Sequence, residues 1–190
     1  FINEHIDEGN IILTKTHAIS REETAGELHD ALLSLGTDAV MESLNQIAQG
    51  TYQLRCQGEV DDTVPSAPKI FKDTCRIDWS QKPKQIYDFI RGLSPYPGAW
   101  TMFTDSEGRE QQLKVYKAEL TDEYDGSISS PTNENGNDNE NENRITVKPY
   151  NRKLNGIPQG LQLLEVQLAG KKRMSMSDFL NGLHGEYQVK

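Results

Sequence analysis

Long apolar runs are missing from this sequence. Nowhere does it approach the roughly 20 consecutive apolar residues that a membrane-spanning helix needs, so neither a membrane segment nor a membrane partner is expected. Cysteine is scarce as well: Cys56 and Cys75 are the only two in 190 residues, and they form no CxxC pair. That argues against a disulfide framework and reads as two reduced thiols in a cytoplasmic protein. His17, His29 and His184 show no ligand spacing with one another or with cysteine, so no metal is expected. GxGxxG, P-loop and Ser/His/Asp arrangements are absent. The opening FINEHIDEGN lacks the basic-then-apolar pattern of a signal peptide. Phe1-Ile2 running into polar residues reads like the middle of a longer chain, and a fragment is expected.

A net charge of −9 would by itself argue against a nucleic-acid partner, but its distribution does not. Residues 1–62 hold 3 Lys/Arg against 12 Asp/Glu, and residues 121–143 hold none against 7. Residues 144–190 reverse the balance, with 8 against 3. The C-terminal quarter is therefore basic, which leaves contact with a polyanion open. Hydrophobic residues reach only 35%, so a polar segment must dilute an ordinary core. PTNENGNDNENEN, residues 131–143, fits that description: it cannot bury apolar surface and is expected to be a disordered acidic loop.

Periodicity supplies the elements. Ile11–Leu13 reads as a strand. Ser20 with Glu23 resembles a capping box, and Leu28, Leu32, Leu35, Val40, Leu44 and Ile47 keep helical spacing as far as Gly50. Gly36 interrupts this run, so the helix is long or broken. Residues 53–69 lose periodicity and read as extended. Pro83 opens a short helix to Arg91, closed by Gly92. Strands follow at Trp100–Phe103 and Leu113–Ala118, around a turn at Ser106-Glu107-Gly108, and again at Ile145–Val147 and Leu161–Leu168. A short helix capped by Ser175 closes the chain, with Asp178 at its positive end. Clustered strands and segregated helices indicate α+β or two domains, the second compatible with a small open barrel.

RGLSPYPGAW, residues 91–100, holds two prolines, two glycines and two large aromatics. Its prolines fix a rigid corner between helix and strand, which Tyr96 and Trp100 are placed to cover. It stands in an ordered set with Ala67-Pro68-Lys69-Ile70, Arg76-Ile77-Asp78-Trp79-Ser80 and Leu168-Ala169-Gly170-Lys171-Lys172-Arg173-Met174-Ser175. That set resembles the linker and C-terminal domain of the methionyl-tRNA formyltransferase family, with Tyr96 where the family commonly has Trp. Ile6-Asp7-Glu8-Gly9-Asn10-Ile11-Ile12 resembles the end of the family's formyltransferase domain. The family's Asn-x-His-x-Ser-Leu-Leu-Pro segment, with two catalytic residues and folate contacts, is absent.

The resemblance implies an architecture of mixed α/β and α+β type. Residues 1–52 would end a Rossmann-like formyltransferase domain, residues 53–75 would be a linker, and residues 76–190 a small OB-like open β-barrel domain. It implies formyl transfer from 10-formyltetrahydrofolate, a co-substrate of the complete enzyme, to the amino group of methionyl initiator tRNA. The fragment alone is expected to be inactive, monomeric and limited to tRNA binding.

Asp7 sits on a tight Asp-x-Gly turn, where aspartate often merely caps. It could also orient an imidazole and stabilise its protonated form, and the resemblance implies that second role. His5 shares a strand face with Asp7 but matches no family position. Lys171, Lys172 and Arg173, just before the last helix, read as a solvated charge run or a phosphate grip; the resemblance implies tRNA contact. Lys69, Lys72 and Arg76 are weaker candidates on the linker. The alternatives are a sugar-nucleotide formyltransferase relative, and a non-catalytic RNA-binding module.

Overall fold

A computed structural model describes residues 1–4, 9–57, 66–105, 107–121, 154–155, 157–158, 160–183 and 187–189. Asp7, His5, the acidic loop 131–143 and the expected strand Ile145–Val147 lie outside the described residues. The chain divides into two compact units, Phe1–Phe71 and Lys72–Lys190.

The first unit is built on one helix, α1 (Ala25–Gln49). Two reciprocal boxes stand in tandem before it. The Ser20 hydroxyl accepts from the Glu23 amide while the Glu23 carboxylate accepts from the Ser20 amide, both at 3.1 Å. Thr24 and Glu27 repeat the exchange at 3.3 and 2.8 Å. The helix starts at the second box, four residues later than the spacing predicts. Gly36 does not break it. Glycine costs an exposed helix only about 1 kcal/mol, and the flanking Leu32–Leu35 and Val40–Ile47 turns carry the helix across. Gly50 stops it in the left-handed region at φ 66°, where glycine has no Cβ penalty. Ile11 reaches the structure as a single bridge to Arg55 (2.8 and 2.9 Å), not as a strand. No residue of α1 is fully buried, and Leu33, Val40, Met41 and Leu44 stand exposed.

In the second unit, α2 (Pro83–Leu93) packs on a sheet whose strands are β1 (Ala99–Thr104), β2 (Glu110–Leu120), β3 (Leu154–Asn155), β4 (Leu161–Leu168), β5 (Met174–Ser175) and β6 (Tyr187–Val189). Their order is β3-β6-β1-β2-β4-β5, antiparallel except for the β3–β6 pair. The last helix, α3 (Met176–Asn181), is capped as expected, the Ser175 hydroxyl accepting from the Asp178 amide at 3.1 Å. The architecture is α+β. Pro83 opens α2 at its first turn, and the helix runs through Gly92 to Leu93, because Leu93 belongs to its buried stripe with Ile86 and Ile90.

Alternation sorts the strands. Ala99, Thr101 and Phe103 point into the core, as do Leu113, Val115, Leu161, Leu163 and Val166. Phe103 meets Phe179 of α3 edge to face, ring centroids 5.3 Å apart. Thr101, fully buried, accepts a 2.9 Å hydrogen bond from the Trp79 indole, so Trp79 closes the core as a lid with a polar anchor. The β1–β2 turn is organised by Asp105, whose carboxylate accepts from the Glu107 and Arg109 amides at 2.9 Å. Two offset bulges cancel along the β2–β4 pair: Tyr116 is the extra residue of β2 and Leu164 that of β4.

Candidate nucleic-acid interface

The face of the sheet turned away from the core carries Trp100 on β1, Lys114 and Tyr116 on β2, and Gln167 on β4. Register makes them neighbours: Trp100 lies opposite Lys114, and Lys114 opposite Gln167. The Val166–Met174 pair then brings Arg173 beside Gln167 at the edge. The result is a row across β1, β2 and β4 that ends at Arg173, just before β5.

Each end of the row places cations against a ring. The Lys72 ammonium and the Arg76 guanidinium both lie 5.7 Å from the Trp100 centroid. Trp100 is fixed there by its indole, which donates to the Lys72 carbonyl at 2.7 Å, and by its carbonyl, which accepts from the Ile77 amide at 2.8 Å. At the other end the Arg173 guanidinium stacks 4.3 Å from the Tyr116 centroid. The bulge aims Tyr116 there. Its hydroxyl donates to Gln167 Oε1 at 2.7 Å, and Gln167 Nε2 donates to the Lys171 carbonyl at 2.9 Å. The turn carrying Lys171 and Lys172 is thereby tied to the sheet, with Gly170 at φ 74° reversing the chain.

Lys171, Lys172 and Arg173 are not equivalent. Arg173 is engaged by Glu165 through two 2.6 Å contacts. Lys171 and Lys172 are exposed, and no described carboxylate pairs with either. The run does not abut the last helix either: β5 intervenes, and α3 is only six residues long. Lys72 and Arg76 join the row, while Lys69 belongs to the first unit, its ammonium 5.5 Å from the Phe71 ring. Sequence reasoning missed Lys114 and Tyr116. The alternation of β2, which puts both on the face opposite Leu113 and Val115, was the signal that pointed to them.

Other motif residues are structural. Asp78 closes a turn, accepting from the Gln81 side chain at 2.8 Å and from the Ser80 amide and hydroxyl at 3.0 and 2.7 Å. The Gln81 bond, then those of Ser80, hold its carboxyl below the ordinary range. The proline corner is tied by Gly98 N–H to Leu93 O at 2.8 Å and by the Lys114 ammonium to Pro97 O at 3.0 Å. The Ser94–Pro95 and Tyr96–Pro97 bonds are both cis. Gly98 is required: at φ 85°, a Cβ there would sit 3.3 Å from the Tyr116 ring. Tyr96 does not cover the corner, as its place in the sequence predicts, but stands 85% exposed. Among the described residues no His/Cys/Asp/Glu cluster could hold a metal ion, and no described helix is long and apolar enough to cross a membrane.

The sequence profile of the formyl transferase C-terminal domain matches residues 69–184. The chain belongs to the formyl transferase family. Among curated relatives of this chain, the methionyl-tRNA formyltransferase of Azobacteroides pseudotrichonymphae genomovar. CFP2 is 38% identical over 185 residues, covering 96% of this chain and 54% of that protein. That of Parabacteroides distasonis is 38% identical over 194 residues, covering 100% and 56%. The chain thus spans about half the length of the curated relatives it matches. Among solved structures, a variant of HypX from Aquifex aeolicus has the same fold, with TM-score 0.57 at 16% identity over 99% of this chain and 32% of that one.

Proposed function

We propose that this formyl transferase chain serves formyl transfer from 10-formyltetrahydrofolate to the amino group of methionyl initiator tRNA, and that its own share of the work is to hold the tRNA. The observation that carries this reading is the row itself. Cations flank Trp100 and Tyr116 on one sheet face, and the row ends in the exposed Lys171–Lys172 turn. Positive charge interleaved with aromatic faces suits a phosphate backbone with accessible bases. The names of the relatives support the methionyl-tRNA substrate.

In this reading residues 1–52 end a Rossmann-like formyltransferase domain, residues 53–75 link it, and residues 76–190 form an OB-like barrel domain. The exposed apolar side chains of α1 support the first part, since such a face belongs against more protein. Asp7 is the proposed catalytic residue, orienting and charging an imidazole supplied elsewhere in the complete enzyme. Lys171, Lys172, Arg173, Lys69 and Lys72 are the proposed tRNA contacts, the chain is a cytoplasmic monomer, and no metal takes part. By itself the chain binds tRNA without formylating it.

The test is to incubate the chain with methionyl initiator tRNA at low salt, with and without 10-formyltetrahydrofolate. A stable complex and no formyl-methionyl product is expected. Absence of any complex overturns the binding role, and detectable product overturns the division of labour.

A further inference from the structure

Three partly exposed rings of the second unit stand against cations. Trp100 is flanked by Lys72 and Arg76, Tyr116 by Arg173, and Tyr87 has the Lys84 ammonium 5.7 Å from its centroid. Tyr96 differs from these three: it is 85% exposed, with no cation or second ring against it among the described residues. An aromatic on a loose loop would pay rotational and backbone entropy to bind anything. Tyr96 does not sit on a loose loop. Prolines bracket it, Ser94 and Gly98 are buried, and the corner is closed by the Leu93–Gly98 bond. The Lys114 ammonium is bound to the carbonyl of the very next residue, Pro97, and Lys114 is the cross-strand partner of Trp100. A bare, rigidly carried π-face therefore borders the basic row.

From this geometry we infer that Tyr96 is a stacking platform for an unpaired base of the RNA held by the row. The inference rests on the proposed RNA-binding role. A base inside a duplex has both faces covered by its neighbours; an unpaired base offers one to a tyrosine while its phosphate stays with the lysines. Stacking adds affinity without adding a phosphate contact, so it should leave the salt dependence of binding unchanged, unlike any lysine substitution.

The experiment compares the whole chain, Tyr96→Ala and Tyr96→Phe on two RNA hairpins of equal charge. One carries a 3′ overhang of four adenosines, the other the same overhang with the bases removed. The expected result is about tenfold tighter binding to the overhang with bases, a preference lost in Tyr96→Ala, kept in Tyr96→Phe, at one common salt slope. Equal binding of the two hairpins, or a preference that survives Tyr96→Ala, overturns the stacking role and leaves the RNA-binding role standing. Failure of the unaltered chain to bind either hairpin at low salt overturns both.

Discussion

Arg173 and Glu165 hold each other by two parallel contacts, Nε to Oε1 and Nη2 to Oε2, each 2.6 Å. A guanidinium that grips a carboxylate in this way has its fork already filled, while phosphate needs the same fork. Glu165→Gln should release it and raise affinity for tRNA by about two- to fivefold, since an exposed pair of this kind is worth under ~1 kcal/mol. Anisotropy titration measures this. Unchanged affinity would remove Arg173 from the interface.

Lys171 and Lys172 should behave differently. Replacing both by alanine removes two phosphate contacts and lowers the salt slope by about 1.5 units, with no change in melting temperature because both side chains are exposed. A slope equal to that of the unaltered chain would mark them as ordinary surface charge.

Trp79 and Thr101 give a stability prediction. Trp79→Phe keeps most of the lid but loses the 2.9 Å indole bond to a fully buried hydroxyl. A cost of about 1–2 kcal/mol is expected in urea unfolding. No loss would mean that water readily replaces the indole.

The two boxes before α1 can be separated. Thr24→Ala should cost the helix about 1 kcal/mol, and Ser20→Ala much less, because α1 begins at Ala25. Circular dichroism during thermal unfolding decides between them. Equal losses would mean that the Ser20–Glu23 exchange also stabilises the helix.

Acid should destabilise the second unit through Asp105. The Arg109 bond, offset in part by burial, and the Arg109 and Glu107 amides hold this carboxyl below its ordinary value. A carboxyl depressed in the folded state contributes stability above its unfolded pKa of about 4. That contribution is lost as pH falls through the lower folded value. Asp105→Asn should therefore flatten the decline of the urea midpoint below about pH 4. An unchanged decline would place the acid sensitivity elsewhere.

Local chemistry made much of this legible in the sequence. Pro83 at the first turn of α2, the Ser175 cap and the Gly50 stop act within a few residues, and all three stand where spacing puts them. What failed needed distant partners. Ser20–Glu23 and Thr24–Glu27 satisfy one local rule, and the pattern alone does not choose between them. Alternation along β2 marks Tyr116 for the outer face, but the Arg173 guanidinium stacked on it comes from a segment far along the chain, and no spacing rule joins the two. Arg76, Lys72 and Trp100 were each visible, but a bridge between Arg76 and Trp100 joins them, and no spacing rule predicts it. Asp7 remained a reading from resemblance alone.

The row of cations and rings, as the place where RNA is held, is the central claim. The measurement that tests it most directly is the salt dependence of methionyl initiator tRNA binding by the unaltered chain and by a variant with Lys72, Arg76, Lys171 and Lys172 all replaced by alanine. The variant is predicted to fold, to bind far more weakly, and to lose about three units of slope. A folded variant with the same slope as the unaltered chain would place the RNA elsewhere on the protein and contradict the claim.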